Sequence, residues 1–425
     1  MSFRNFAGSV CATLLCCGSF AMAADSAPVA DNAELTLRQP VLLQNTPEAN
    51  APQRGLLMSG LDQIGAGKFL DKLGINIYGY IEGSYSYNFD TPNSKINSFR
   101  TFDFQDQKVL MDQLELTVER AVDYRTRRFD IGFRMDWMYG ADAGIIHSNG
   151  LFDYYDGVRN PKNQVDLTQA YLDVNLPIGT GLRIRAGKFV NFVGYETVEP
   201  TVDPTNSGVV DFYSRGLIFF QYPFTHTGII ATYDIAKNVT VTAGISRGDN
   251  QSVEDNNGAI SFLGSINWVI NKSFSFYLSN STGPEKNDNS RDLRTTWDAT
   301  LFYTPTRAFT AALNAYYVWE QNGSVFGGNA NFYAIGAYAA YELSPMLTVK
   351  GRLEWVHDED GFRLGTGIDN IYEGTVGLNV RPFAGNTLGR NLKIRPELRW
   401  DYSPDTAFNG RHNQVTAAVD VIVTF

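Results

Sequence analysis

The imidazoles of the chain are His147, His226, His357 and His412, and all four fall in loops or at the ends of alternating segments. A hydrolytic site built on histidine needs a serine or an acid in reach of it. The candidates are therefore His147-Ser148 and the run His357-Asp358-Glu359-Asp360. Neither has a recognisable nucleophile-base spacing, and a solvated loop accounts for both, so no catalytic residue is expected. The acidic stretches Asp249 to Asp255 and Asp358 to Asp369 offer the oxygens that calcium prefers. They lack a defined ligand spacing, so no metal or cofactor is expected, and loop calcium stays an open alternative.

Most of the remaining charge lies in segments of period two. In Arg127 to Gly140, Phe129, Ile131, Phe133, Met135, Trp137 and Tyr139 alternate with Asp130, Gly132, Arg134, Asp136 and Met138. Leu392 to Tyr402 sets Lys393, Arg395, Glu397, Arg399 and Asp401 on its polar side, and Val415 to Phe425 repeats the alternation at the end of the chain. About sixteen such segments follow Gly74, within a range of about 14–18, each near ten residues with one apolar face. Their connections alternate short and long. Pro177 to Gly181, Ala236 to Asn238 and Ser344 to Met346 are short, whereas Thr91 to Lys108, Gly140 to Gln164, Val190 to His226, Gly248 to Ala259, Asn280 to Asp292 and Asp358 to Ile371 are long. That asymmetry belongs to an all-β, antiparallel, up-and-down transmembrane barrel with both termini on the periplasmic side.

Composition agrees. The 425 residues are 44% hydrophobic and 13% aromatic with 39 glycines, a mixture suited to many strands and tight turns. Past the N-terminal segment no apolar run reaches the about 18 residues of a spanning helix. The formal charge of -10 argues against a nucleic-acid partner. Arg4, the apolar stretch Phe6 to Phe20 and Ala21-Met22-Ala23 read as a cleaved signal peptide over residues 1–23. Its removal leaves 425 - 23 = 402 residues and a net charge of 34 - 45 = -11. Cys11, Cys16 and Cys17 all lie inside it, and the residue before Cys17 is not the small one a lipid-anchor site needs. Residues 24–54 read as a flexible periplasmic leader, residues 55–73 as a short amphipathic helix and residues 74–425 as the barrel.

Trp137, Trp268, Trp297, Trp319, Trp355 and Trp400 share the apolar parity near strand ends, as the aromatic girdles at the two headgroup levels require. Phe425 closes the last strand as the aromatic signal read by the barrel assembly machinery. Sixteen strands leave room for water, and the inward register carries Glu82, Glu115, Glu119, Arg134, Asp136, Asp173, Arg183, Arg185, Lys350, Arg352, Glu354, Arg395, Glu397 and Arg399. Charges on such a wall either select the ions that pass or pair across strands and hold the wall together.

Gly74-Ile75-Asn76-Ile77-Tyr78-Gly79, Gly187-Lys188-Phe189, Gly194-Tyr195-Glu196 and Pro223-Phe224-Thr225-His226-Thr227-Gly228 together resemble the OmpL-like putative β-barrel porin family over about Gly74 to Phe425. The resemblance implies an outer-membrane porin in contact with lipid and lipopolysaccharide, passing small hydrophilic solutes and ions by diffusion. By analogy with other sixteen-stranded porins it also implies a homotrimer. Val190 to His226, the third external loop, resembles in position and length the loop that narrows general porins. It carries Glu196, Glu199, Asp203 and Asp211, and the basic residues Arg183, Arg185 and Lys188 approach it along the fifth strand. These residues, with Arg134, Asp136, Arg352, Arg395 and Arg399, form the expected constriction, acidic on the loop and basic on the wall. Net charge suggests a weak cation preference. The rival readings are a structural anchor or adhesin with a closed lumen, and a hydrolase at the rim.

Overall fold

A computed structural model describes residues 55–124, 128–153, 163–200, 210–386 and 389–425. The signal segment, the leader, the cysteines and Asp203 lie outside these residues. Sixteen strands form one closed antiparallel barrel. In chain order they are β1 (Asn76–Asn88), β2 (Lys108–Arg120), β3 (Asp130–Gly140), β4 (Gln164–Leu176), β5 (Leu182–Val190), β6 (Thr225–Ala236), β7 (Val239–Ser246) and β8 (Ser261–Val269). The second half comprises β9 (Phe274–Lys286), β10 (Asn289–Tyr303), β11 (Phe309–Glu320), β12 (Ala330–Ser344), β13 (Leu347–His357), β14 (Asn370–Val380), β15 (Leu392–Tyr402) and β16 (Asn413–Thr424). Each strand pairs with its neighbours in sequence, and β1 meets β16 in a ladder from Tyr80↔Thr424 to Asn88↔Thr416. Phe425 extends that seam by exchanging backbone hydrogen bonds with Gly79. No described helix is long and apolar enough to cross a membrane. The strands leave Ile131, Leu172, Ile229, Leu313, Leu353 and Val376 exposed on the outer face, which is the face a lipid-embedded barrel turns to acyl chains.

Two expectations change. The lead-in is two helices, α1 (Leu56–Gln63) and α2 (Ala66–Leu73), because Gly65 adopts φ 78° and breaks the continuous helix. The stretch Asn280 to Asp292 is not a long loop: β9 and β10 continue to a tight turn at Asn287-Asp288, where Asp288 has φ 56°. Asparagine and aspartate tolerate the left-handed conformation that such hairpin turns demand. The Ser, Thr and Asn residues before that turn simply extend the ladder as polar strand.

Two of the motif glycines have a geometric reason. Gly187 on β5 sits at φ 137°, and a Cβ there would lie 2.2 Å from the Ala170 carbonyl oxygen of β4. Gly194, at φ 136°, would drive a Cβ to 2.2 Å from the Tyr222 ring. We expect Gly187→Ala to cost about 1–3 kcal/mol of backbone strain before any clash is counted. Its check is the fraction of protein that keeps the fast, heat-sensitive electrophoretic mobility of a folded barrel. A fraction equal to wild type would refute it.

Candidate functional site

The connection from β5 to β6 runs over residues 191–224, and its described part lies against the inner wall. Its acids meet wall cations. Asp211 Oδ2 lies 2.8 Å from Lys393 Nζ and 2.8 Å from an Arg395 guanidinium nitrogen, and Lys350 donates to its backbone carbonyl. Glu196 lies 3.0 Å from Arg352, which also grips the Ser214 carbonyl at 2.7 Å and Glu373 on β14 at 3.1 Å. Glu199 lies 3.2 Å from Arg134 on β3, whose Nε is bound to Asp136 at 2.8 Å.

The wall replies with carboxylates. Glu397 of β15 accepts the backbone N–H groups of Tyr213 and Ser214, both at 3.0 Å. Glu354 of β13 accepts the N–H of Leu217, and Arg399 donates to the Arg215 carbonyl at 2.7 Å. Across the β1–β16 seam, Tyr213 Oη accepts from Ser84 of β1 at 2.6 Å and lies 3.2 Å from Asp112 of β2. Charge-assisted bonds of this kind are the strong ones. They satisfy loop backbone groups that would otherwise be buried without partners.

These contacts divide the wall. The side chains of Arg352, Arg395 and Arg399 are 0%, 0% and 1% exposed, whereas those of Arg134, Arg183 and Arg185 retain 16%, 14% and 21%. The expectation of water along the whole wall therefore fails for β13 and β15, because the loop covers them. Arg183, Arg185 and Lys188 stand apart from the described loop acids and pair with wall carboxylates. Arg183 meets Asp234 at 2.6 Å, Arg185 meets Asp173 at 2.8 Å with its guanidinium 3.8 Å from the Tyr171 ring centre, and Lys188 meets Asp166 at 3.0 Å.

Loop and wall also share an apolar core. Tyr213, Leu217, Ile218, Phe219 and Tyr222 pack with Val318, Phe332, Val356 and Ile371 of β11 to β14. Sequence reasoning missed these four wall residues. Their signal was partly present: Val318, Val356 and Ile371 are apolar residues on a parity that also carries Asn314, Arg352 and Glu373, each at the long-loop end of its strand, whereas Phe332 sits among Ala330, Ala334 and Gly336 on β12 and gives no such contrast. The acids Glu373 and Asp420 were missed too, although Asp420 is the one charge in β16 and stands opposite Arg395 in the ladder.

Electrostatics favours the docked loop. Burial pushes the Asp211 carboxyl up, and Lys393, Lys350 and Arg395 more than reverse it, leaving it well below the usual carboxylate range.

At the rims, Trp137, Trp268, Trp297 and Trp400 are exposed, and Trp319 and Trp355 are half-buried. Trp268 stands opposite Val239 at the short-turn end. The Trp355 and Trp400 indoles donate to Asn370 and Asn413, both at 3.0 Å. His147 contacts Asp153 at 2.7 Å and Asp166 at 3.7 Å, and its imidazole is raised above its ordinary value by the hydrogen bond to Asp166, against burial. The adjacent Ser148 hydroxyl is buried against Thr225 at 2.6 Å. His357 bonds Asn370 at 3.1 Å, while Asp358 accepts backbone N–H groups of its own loop. In the stretch Asp249 to Asp255, Asp255 Oδ1 caps the N–H groups of Asn257 and Gly258.

Comparison with known sequences decides the class. Residues 74–425 match the family described as putative beta-barrel porin-2, OmpL-like. The chain belongs to this family. It is accordingly an outer-membrane β-barrel of the porin class. No curated protein sequence is significantly similar to it. Among solved structures, Pseudomonas putida OprB is similar with 13% identity and a TM-score of 0.56, over 86% of this chain and 97% of that one. The anion-selective porin from Comamonas acidovorans is similar with 10% identity and a TM-score of 0.54, over 83% of this chain and 99% of that one. Vibrio cholerae OmpT in its trimer form is similar with 10% identity and a TM-score of 0.53, over 83% and 99%. At these identities the likeness concerns the fold of the porin barrel.

Proposed function

We propose that this porin is a diffusion channel for small hydrophilic solutes and ions, narrowed by the loop of residues 190–226. Its aqueous path runs past Arg134, Arg183 and Arg185, which keep partial exposure. The observation that carries this reading is the uneven exposure of the arginines: those on β13 and β15 lie under the loop, and those on β3 and β5 stay wet. Each wet arginine has a carboxylate partner, so the path is lined by paired charges and its ion preference is weak, tending to cations through the net negative charge. No chemistry is assigned to His147-Ser148 or His357: the Ser148 hydroxyl is bound to Thr225 and His357 to Asn370. Phe425 on the closing seam serves the assembly machinery, the six tryptophans sit at the headgroup levels beside lipid and lipopolysaccharide, and the barrel assembles as a homotrimer like the OmpT form above.

Single-channel recording of the folded, purified protein across a salt gradient tests this. Uniform conductance steps with a small reversal potential are expected. A second reading, an anchor or adhesin with a closed lumen, draws support from the apolar core between loop and wall, and silence from folded, inserted protein would establish it instead.

The same recordings carry a pH prediction. Because the Asp211 carboxyl is lowered, its anchoring is fully present above the ordinary aspartate value of about 4 and is lost only as pH falls through the lowered one. The Asp211 contacts are therefore expected to hold from neutral pH down to about 4, whereas Glu199, whose carboxyl burial pushes up to about 7, takes up its proton within that range and loosens its pairing with Arg134. A change in conductance over that range that persists unaltered in Glu199→Gln would contradict this assignment.

A further inference from the structure

Glu115 of β2, Asp136 of β3 and Glu199 of the inward loop each offer a carboxylate oxygen within 4.8 Å of the other two. Arg134 is bound to Asp136 and to Glu199. Gln169 of β4 donates its amide to the same two, at 2.5 Å and 3.0 Å. Glu115 is left over. It is 1% exposed, its Oε2 has no hydrogen-bond partner, and among the described residues no cation forms an ion pair with it. Three carboxyl groups share one guanidinium, so charge balance in the cluster calls for protons on the carboxyls or for a second cation. The ladder between β3 and β4 shifts register between Asp136 and Trp137, a bulge of the kind that re-aims side chains.

We propose that Glu115, Asp136 and Glu199 bind a divalent hard cation, calcium, which clamps the loop to the wall at β2 and β3, across the β1–β16 seam from β13 and β15. Two oxygens on opposite sides of a calcium ion stand about 4.6–5.2 Å apart, twice the metal–oxygen distance, against about 4.2 Å for magnesium. All three separations lie within 4.8 Å, inside the reach of one calcium coordination sphere. The Glu199 side chain is 26% exposed, which gives the ion a way in from water. The inference concerns binding and stands independently of whether the channel conducts.

The test is calorimetric titration of calcium chloride into full-length protein refolded without lipopolysaccharide and stripped with chelator. Wild type is expected to take up one equivalent. Glu115→Gln, which keeps the shape and removes the charge, and Glu199→Gln, which lies on the loop and leaves the wall intact, are each expected to weaken binding by more than about tenfold. Asp255→Asn, in a remote loop, serves as the control and is expected to bind as wild type does. Folding of every variant is verified by heat-modifiable mobility. Absence of saturable uptake in folded wild type, or uptake by both glutamine variants as tight as wild type, would overturn the proposal.

Discussion

Arg395→Ala is expected to destabilise the barrel by about 3–5 kcal/mol, the cost of removing one partner from a buried ion pair. Arg395 is held between Asp420 of β16 at 2.6 Å, Glu82 of β1 at 2.7 Å and Asp211 of the loop at 2.8 Å, with none of its side chain exposed. Without the guanidinium these three carboxylates face one another in a water-poor interior. Urea unfolding followed by tryptophan fluorescence would register the loss as a lower midpoint with an unchanged slope. Adding Asp420→Ala to the single variant should recover part of the loss, because it removes one of the stranded charges. A midpoint equal to wild type in the single variant would show that the cluster contributes nothing to stability.

The second large effect is expected from Asp211→Ala, and it is one of conductance. The Asp211 carboxylate is the loop's contact with both Lys393 and Arg395. Its loss leaves Lys350, Lys393 and Arg395 as a cluster of like charges with no loop acid to hold. Each hydrogen bond to a charged group contributes about 1.5–3 kcal/mol, and about 1.4 kcal/mol is a factor of ten in an equilibrium. Losing two such bonds therefore moves the loop strongly toward release. Single channels of the variant should be at least about twofold more conductive and noisier, since water and ions reach the β13 and β15 wall. Conductance equal to wild type in folded protein would mean that the remaining contacts, Glu196–Arg352 and the backbone bonds to Glu354, Glu397 and Arg399, hold the loop without Asp211.

The barrel was legible because lipid on one side and polar groups on the other force a period of two, and all sixteen strands follow it. Where polar strand ran on beyond the membrane level, as in Ser279 to Asn289, the same alternation lost its apolar half and read as loop. The helical spacing of residues 55–73 was real, but periodicity alone does not show a break at Gly65. In the site, residue types were visible and partners were not. Asp211 meets Arg395 across 184 positions of sequence, and no local pattern encodes that. Even the covered and uncovered arginines look alike in sequence, each alternating with apolar neighbours. What separates them is the path of the loop.

The seam at which β16 meets β1 sets an order of events in biogenesis. Arg395 and Glu82, 313 positions apart in sequence, lie on opposite sides of the closure and bind each other as well as Asp420. Arg395 and Asp420 can meet on the growing sheet, but Glu82 joins them only once the last strand has found the first, so the loop's pocket is incomplete until then. Contacts of such separation carry a high closure entropy and form late. The loop is thus fastened as a final act, and an unzipped barrel would hold its gate open.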